Sequence, residues 1–355
     1  YENPMTHSEG SGNVYRNIAD EGHTSSPIFN PDGTLTYSAV YSVGDLLYGK
    51  SRKTYVNDQY KNTIAANAKF FDNTLRFNAD FTYQDKRKFQ QNKWVRTPYS
   101  KTKDVIEYIK DPETTNELKE YRNSTKYMAA NAFAEYENTF GKHYVKGLVG
   151  YNYEQSQYDR LYATRNQMVT ETVENINLTT DAVNLGIEGS WTKWRSAGAF
   201  FRVNYSFDDR YLVEVNGRYD GSSKFLPGNQ WAFFPSVSAG WRLTEEPWFN
   251  VNFISMAKLR IGWGQVGNAS VSSYQTLPVF GNVYGPNHDP DNESQMVVGI
   301  VGTNIANPLL RWETSEQTNI GLDLGLWRGR FTLTADIYNK NTFDLLYKKK
   351  IAVSS

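Results

Sequence analysis

The sequence contains no cysteine and no long hydrophobic run. Without cysteine, the chain can form neither disulfides nor thiolate metal sites. No segment approaches the roughly 20 consecutive apolar residues that a membrane-spanning helix requires, which excludes a helical membrane protein. Basic and acidic residues are balanced at 38 each among 355 residues, so no net charge attracts the chain to nucleic acid.

Signatures of catalysis are also missing. The four histidines show no H-E-x-x-H spacing, and no G-x-S-x-G nucleophile elbow occurs. Residues 288–293 place oxygen ligands at alternate positions, as calcium loops do, but they lack the glycine and distal glutamate of such loops. We interpret them as a solvated acidic loop, and we predict no enzyme activity, metal site or cofactor.

One motif points to nucleotide binding. Residues 44–51, GDLLYGKS, match the pattern G-x-x-x-x-G-K-(S/T) of a phosphate-binding loop. That loop needs a buried strand before it and a helix after it. Residues 37–43 are too polar for such a strand, and residues 52–59 carry no apolar stripe at helical spacing. We interpret the motif as a chance match in an irregular segment.

Aromatic residues are abundant, at 15% of the chain, although the mean hydropathy is polar. Several stretches alternate with a period of two, as where Leu75, Phe77 and Phe81 interleave with Arg76 and Asp80. This is the period of a β-strand. We predict ten strands, over residues 60–71, 75–85, 127–138, 143–155, 196–207, 211–220, 233–243, 257–265, 316–327 and 331–341. About ten residues tilted near 45° rise roughly 23 Å, close to the apolar band of an outer-membrane barrel.

The connections between these strands alternate in length. Short links at 72–74, 140–142, 208–210 and 328–329 alternate with polar excursions at 86–126, 156–195 and 266–315. A membrane barrel sorts loops in this way, because its periplasmic turns are short and its extracellular loops are long.

Aromatic residues at the strand ends predict two girdles at the membrane surfaces. The short-turn rim would hold Phe70, Phe71, Tyr136, Phe140, Phe207, Tyr211, Trp241, Trp248, Trp327 and Phe331. The opposite rim would hold Tyr83, Tyr153, Tyr219, Phe233, Trp263 and Tyr338.

The register of the strands follows from the cost of charge in lipid. Slipping strand 211–220 by one residue would expose Glu214 and Arg218 to lipid, at roughly 2 to 4 kcal/mol for a mid-depth arginine. We therefore expect the charged residues of the strands to face the lumen or a plug. They are Arg76, Asp80, Arg202, Glu214, Arg218, Lys258, Arg260, Asp323 and Asp336.

Several blocks of sequence resemble a known family. NYSFDDRYLVEVNGRYDGSSKF at 204–225, KLRIGWGQVGN at 258–268, and the stretches at 231–249 and 307–347 are similar to the barrel of SusC/RagA-type TonB-dependent outer-membrane transporters. PIFNPDGTL at 27–35 resembles an extracellular loop of that family. The resemblance covers most of the chain and is strongest over 196–347.

This resemblance implies the fold class and the partners. The fold would be all-β, a transmembrane antiparallel up-and-down β-barrel of which about ten strands are present. Large members of this class have about 22 strands around a plugged lumen. We expect the plug and the last strands to be absent, with residues 1–59 forming an extracellular loop segment and 60–355 forming barrel strands. The family implies a SusD-like surface lipoprotein, the TonB–ExbB–ExbD energising complex, and contact with outer-membrane lipid and lipopolysaccharide.

The implied function is active import of oligosaccharides or peptides. Aromatic residues predicted in loops could stack on such substrates, although loop anchoring and lipoprotein docking are equally open roles for them. These residues are Trp94, Tyr99, Tyr158, Tyr162, Tyr274 and Tyr284. Residues 348–350 are lysines that would meet lipopolysaccharide or water. A passive porin and a soluble glycan-binding β protein are the alternative functions.

Overall fold

The computed structural model describes residues 2–4, 25–108, 116–180, 186–286, 296–302 and 306–347. The acidic loop at 288–293 and the lysines at 348–350 lie outside the described residues. None of the helices in the described ranges is long and apolar enough to cross a bilayer.

Most of the described chain belongs to one eleven-stranded sheet. The strands follow one another in the order β1-β2-β3-β6-β7-β8-β9-β10-β11-β14-β15. Their bounds are β1 Glu2–Pro4, β2 Arg52–Phe70, β3 Leu75–Trp94, β6 Glu117–Phe140, β7 His143–Asn166, β8 Gly186–Phe207, β9 Tyr211–Ser222, β10 Trp231–Arg242, β11 Ile254–Asn268, β14 Glu313–Leu326 and β15 Phe331–Phe343. The up-and-down, antiparallel arrangement predicted from sequence is confirmed, with a strand at each of the ten predicted positions.

Two smaller hairpins lie in the connections of this sheet. One consists of β4 (Pro98–Thr102) and β5 (Val105–Tyr108), and the other of β12 (Phe280–Pro286) and β13 (Met296–Gly302). Neither was predicted. Short helical segments at Tyr37–Ala39, Val40–Gly44 and Asp45–Tyr48 precede β2.

The predicted lengths of two polar excursions are wrong. We expected strands to end near residues 85 and 155, but β3 continues to Trp94 and β7 to Asn166. Likewise β2, β6 and β8 begin at Arg52, Glu117 and Gly186, well before the predicted starts. The extra residues are mostly polar, so the strict alternation of apolar and polar side chains on which the prediction depended is absent there.

Short turns between strands use residues that tolerate a left-handed backbone. Asp72 and Asn73 link β2 to β3 with φ of 52° and 70°, and Asp208 and Asp209 link β8 to β9 with φ of 51° and 52°. Aspartate and asparagine accept this conformation more readily than other non-glycine residues. At the turn between β6 and β7, Gly141 takes the same region at φ 61°. The tight links predicted at these positions are confirmed.

The chain divides into two compact units. One comprises 1–61, 84–126 and 157–192, and its buried core contains two small clusters. The first cluster is Leu35, Ala39, Val40 and Tyr99, and the second is Val95, Leu118 and Met168. The other unit comprises 62–83, 127–156 and 193–355. Its most buried large side chain is Phe225, which packs on Trp312 at a ring distance of 5.6 Å.

Candidate functional site

The strands from β8 to β15 in the sheet separate apolar from polar side chains onto two faces. Residues directly opposite each other in antiparallel strands share a face. Val215 lies opposite Val203 on β8 and Val237 on β10. Further along the sheet, Ile320 lies opposite Ile261 and Ile337. These side chains form an apolar face on which Val215 is 39% exposed and Ile337 is 81% exposed.

Aromatic rings lie at both ends of this apolar face. At the short-turn end, Tyr211 stacks with Phe207 at 6.4 Å and with Trp241 at 6.3 Å. At the other end, Tyr219 lies opposite Phe233 and stacks on Trp231 at 5.1 Å. The expected aromatic rims are thus present on these strands.

One residue of the predicted outer girdle is misplaced. Tyr338 lies opposite Asn319 on β14, and Asn319 lines a groove on the polar face. The prediction that Tyr338 belongs to the girdle is therefore wrong. Its even position on β15 has the parity of Asp336 rather than that of Ile337, and parity decides the face.

A hydrogen-bonded network occupies the centre of the polar face. Arg202 Nε donates to Asn216 Oδ1 at 2.7 Å, and Asn216 Nδ2 donates to Glu214 at 2.7 Å and to Ser236 at 3.2 Å. Asn204 Nδ2 also donates to Glu214, at 2.6 Å. The charged and amide groups of β8, β9 and β10 are thus joined across the strands.

Arg218 extends this network along β9. Its guanidinium donates to both carboxylate oxygens of Asp220, at 2.8 and 3.0 Å, and to Asn152 on β7 at 3.0 Å. The same guanidinium lies 5.1 Å from the centre of the Phe200 ring. A planar cation held in this way can present its remaining donors to a carboxylate or hydroxyl ligand.

A second ionic cluster joins β11, β14 and β15. Arg260 forms two hydrogen bonds to Asp323, at 2.7 and 2.9 Å, and contacts Asp336 at 3.1 Å. Lys258 lies directly opposite Asp323 in the register of β11 and β14. These four predicted lumen residues are brought together.

A third cluster lies on β3, β6 and β7. Arg76 Nε donates to Glu135 at 2.7 Å, and its guanidinium also contacts Glu137. Lys146 lies 3.0 Å from Glu135, and the Tyr144 hydroxyl donates to Glu137 at 2.9 Å. On the same strands, Asp80 accepts a hydrogen bond from Asn131 at 2.9 Å. The partners of Arg76 and Asp80 were not identified from sequence, because the pairing of β3 with β6 skips the hairpin between them.

A groove of about 800 Å³ runs along the polar face. Small side chains make room for it, because Gly262 and Gly264 stand beside Ser236 and Ser238. Phe200 and Phe234 contribute apolar surface. The polar side chains of this face that line it are Arg202, Glu214, Asn216, Arg218, Asp220, Gln317 and Asn319. The groove thus combines aromatic surface with groups that bind hydroxyls or carboxylates.

The predicted substrate-contact aromatics are not gathered in one place. Trp94 is 8% exposed and Tyr99 is 4% exposed, and Tyr99 packs on Tyr37 at 5.1 Å within a core cluster. For these two residues, burial favours the anchoring role over substrate contact. Tyr162 packs on Tyr121 at 4.7 Å.

The remaining aromatic candidates are partly accessible or incompletely described. Tyr158 is partly buried on β7. The Tyr274 hydroxyl accepts a hydrogen bond from the Lys193 backbone at 3.1 Å. Tyr284 pairs with Val298 in the β12–β13 hairpin, and its side chain lies outside the described residues.

The phosphate-loop motif has no phosphate-loop structure. Its last residue, Ser51, is buried and exchanges hydrogen bonds with the backbone of Val95, at 3.0 and 3.1 Å. A helical turn occupies Asp45–Tyr48, before Lys50 rather than after it, and strand β2 follows. The interpretation of this stretch as a chance match agrees with these contacts.

Sequence reasoning missed a buried ion-pair cluster. Glu174 contacts Arg52 Nε at 2.7 Å and Lys93 Nζ at 2.8 Å, and its side chain is 13% exposed. Burial opposes ionisation of Glu174, but the ion pairs with Arg52 and Lys93 outweigh burial and hold its pKa below the ordinary value. Nearby, burial and a hydrogen bond to Glu171 raise the pKa of Tyr48 to about 12.

A second missed carboxylate lies in the turn after β10. Glu246 accepts hydrogen bonds from the Tyr211 hydroxyl at 2.6 Å and the Trp241 indole at 2.9 Å, and it contacts Arg210 at 3.4 Å. The bonds from Tyr211 and Trp241 outweigh burial and lower the pKa of Glu246. This carboxylate fixes two rings of the short-turn rim. Within the described residues, no group of three or more histidine, aspartate and glutamate side chains is arranged to hold a metal ion.

Comparison with known proteins agrees with this arrangement of faces, rims and turns. The family model described as "TonB dependent receptor-like, beta-barrel" matches residues 6–353. The chain belongs to this family. Its members are outer-membrane β-barrel proteins, so the predicted receptor family and the predicted outer-membrane location are confirmed.

Individual relatives of this chain are also described as TonB-dependent receptors. TonB-dependent receptor P3 of Formosa agariphila is 32% identical over 98% of this chain and 33% of its own length. TonB-dependent receptor SusC of Bacteroides thetaiotaomicron is 38% identical over 44% of this chain and 16% of its own length. The chain therefore spans a third or less of the length of these curated relatives.

Solved structures match the fold. The structure of the RagAB peptide transporter superposes with a TM-score of 0.71 at 20% identity, and the match covers 84% of this chain and 32% of that one. At this identity the likeness shows the fold alone.

Proposed function

We propose that the receptor to which this chain belongs imports oligosaccharides or peptides across the outer membrane. The observation that carries this proposal is the continuous polar face, whose charged groups are joined across the strands beside a groove of about 800 Å³. Hydroxyl-rich and amide-rich solutes need such paired donors and acceptors, together with aromatic surface. The chain's own relatives include SusC, and the fold matches the RagAB peptide transporter.

In this proposal the polar face is the wall of the lumen. Arg76, Asp80 and the seven other charged residues expected there face water or a plug segment. We assign residues 60–355 to barrel strands with their loops and 1–59 to an extracellular segment, into which β2 extends from Arg52. Tyr158, Tyr162 and Tyr274 are the aromatic side chains that we assign to the substrate path.

In this proposal, partner proteins supply the energy for import and capture the substrate. The TonB–ExbB–ExbD complex drives import, and a SusD-like surface lipoprotein delivers the substrate. A passive porin would need neither partner. Uptake of labelled oligosaccharides and peptides by cells carrying the full-length receptor distinguishes the two functions. We expect uptake to cease when TonB is deleted, and uptake that continues unchanged would identify a porin instead.

A pair of neighbouring substitutions tests the path itself. Ser238 on β10 lies opposite Glu214 and Gly262 and lines the groove, whereas Ala239 lies opposite Val213 and Ile261 on the apolar face. We expect Ser238→Phe in the full-length receptor to reduce uptake several-fold, because the ring fills the groove. Ala239→Phe is the matched control and should transport normally at equal surface expression. Equal uptake by both variants would refute the assigned path.

A further inference from the structure

A salt bridge on the polar face leaves part of its arginine unused. Arg218 donates through Nε and Nη2 to the two carboxylate oxygens of Asp220, at 3.0 and 2.8 Å, and Nη2 also donates to Asn152 at 3.0 Å. Within the described part of the chain, the Nη1 group of Arg218 has no hydrogen-bond acceptor. Each oxygen of Asp220 accepts one hydrogen bond in this pair, although a carboxylate oxygen can accept two. The pair therefore keeps both a donor and acceptors for a ligand.

This pair is accessible from the groove on the polar face. Arg218 and Asp220 both line that groove, and their side chains are 45% and 19% exposed. The Phe200 ring, which also lines the groove, lies 5.1 Å from the guanidinium carbon and supports one face of the cation. The guanidinium is thus held on one face and along one edge, and the Nη1 group remains for a solute in the groove.

Gly198 sets the position of this pair. It is buried, and it lies directly opposite Asp220 in the register of β8 and β9. A Cβ atom at Gly198 would overlap Asp220 Oδ1 and would stand 2.8 Å from Asn152 Oδ1 and 3.1 Å from Arg218 Nη2. Glycine at this position therefore allows the three polar side chains to meet close to the backbone of the sheet.

The same arrangement occurs again on β11, β14 and β15. Arg260 binds both oxygens of Asp323 through Nε and Nη2, and its Nη1 group also has no acceptor among the described residues. Gly321 is buried beside it, and a Cβ atom there would overlap Asp336 Oδ1 and stand 2.7 Å from Arg260 Nη2. An arginine seated over a glycine with Nη1 unused is therefore a repeated feature of the polar face.

The chemistry of the Arg218–Asp220 pair suits neighbouring hydroxyl groups. The charges of the two side chains balance, so the pair has no excess charge for an ionic ligand. Two adjacent hydroxyls of a sugar ring stand side by side, and each can donate and accept, so one can accept from Nη1 while the other donates to Asp220. The N–H and C=O of a peptide unit point in opposite directions across a planar bond, so a single unit cannot serve both groups.

We propose that the Arg218–Asp220 pair is a subsite for two adjacent hydroxyls of an uncharged oligosaccharide, and that Gly198 is the positioning residue that seats the pair. This inference rests on the proposed function, because the ligand reaches the pair through the lumen. It selects oligosaccharides from the two substrate classes proposed above.

The test measures binding rather than uptake, by isothermal titration calorimetry of the full-length receptor purified in detergent. The probes are short uncharged oligosaccharides of glucose, mannose, galactose or xylose, and uncharged peptides of comparable length. We expect at least one oligosaccharide to bind, and every peptide to bind more weakly than it does. Asp220→Asn preserves the shape of the side chain but removes the charged acceptor, so it should weaken binding of that oligosaccharide about tenfold, equivalent to about 1.4 kcal/mol.

A second variant tests the role of Gly198. Gly198→Ala should also weaken binding about tenfold, because the added methyl displaces Asp220. The matched control is Gly147→Ala on β7, where no atom lies within 4 Å of the added Cβ, and it should bind normally. If Gly198 acts through Asp220, the two losses should not add in the double variant Gly198→Ala, Asp220→Asn. Circular dichroism checks that each variant remains folded.

Three results would overturn the subsite: equal binding by Asp220→Asn and the unaltered receptor, tighter binding of a peptide than of every oligosaccharide, or no binding of any oligosaccharide. Additive losses in the double variant would overturn the positioning role of Gly198. Preferred binding of peptides would leave the import proposal standing with peptides as its substrates. Uptake that continues without TonB would refute active import and leave these binding results unchanged.

Discussion

Two groups of strands in the sheet differ in length and in how much of each strand alternates between apolar and polar residues. Strands β2, β3, β6, β7 and β8 are 19 to 24 residues long. Strands β9, β10, β11, β14 and β15 are 12 to 15 residues long. Alternation covers most of each short strand but only the half of each long strand nearest the short turn. Alternation is therefore imposed where one face meets lipid, and beyond it the strands are held by backbone pairing and by local contacts such as the cluster of Val95, Leu118 and Met168.

The largest effect should come from charge on the apolar face of a short strand. Val237 lies mid-way along β10, opposite Val215 and Trp263. We expect Val237→Arg to destabilise the full-length barrel in lipid by about 2 to 4 kcal/mol, because the guanidinium would face hydrocarbon.

The neighbouring Ser238→Arg is the control for this experiment. Ser238 lies on the polar face opposite Glu214, where an added cation is solvated or paired. Urea titration of the refolded barrel in lipid measures both variants. Similar losses for the two would mean that the assignment of faces is wrong.

An intermediate effect should follow from breaking the buried ion pair beside the long strands. Glu174→Gln would leave Lys93, whose side chain is 7% exposed, without its carboxylate partner. Because Arg52 is 41% exposed and partly screened, we expect a loss of about 2 kcal/mol in local stability rather than the full cost of a buried charge. Hydrogen exchange at the backbone amide of buried Val95 would report it.

The same pair predicts a dependence on pH. The folded-state pKa of Glu174 is lowered, so its stabilisation is present above the ordinary glutamate pKa of about 4.3 and is lost as pH falls through the folded value. The protection factor at Val95, which corrects exchange for its intrinsic dependence on pH, should therefore fall in acid, and Glu174→Gln should remove that part of the change. An identical acid response in the variant would exclude Glu174 as its source.

The smallest effect should come from charge on the distant half of a long strand. Ile187 near the start of β8 is 63% exposed. If this half stands in water, Ile187→Arg should change stability by no more than about 0.5 kcal/mol. A loss as large as that of Val237→Arg would show that the apolar band extends to this level.

The sequence disclosed most where a single physical constraint acts on neighbouring residues. The faces of β9 and β10 and the tight turn at Asp208 and Asp209 follow from local chemistry. Tyr338 was misassigned because aromatic character was weighed above parity. The Arg52–Glu174–Lys93 cluster could not be predicted, because its members lie far apart in sequence and no period relates them. The sequence also does not show that Tyr99 is buried in a core cluster.

The tight turns also bear on how such a chain is assembled. Each turn at Asp72–Asn73, Gly141 or Asp208–Asp209 joins two strands that are consecutive in the chain. The backbone hydrogen bonds between those two strands therefore form at a small cost in loop-closure entropy. Nascent hairpins can therefore satisfy their backbone groups pairwise before they meet the bilayer. An insertion complex can then add one hairpin at a time, and only the strand at the growing edge has unpaired backbone groups at each step.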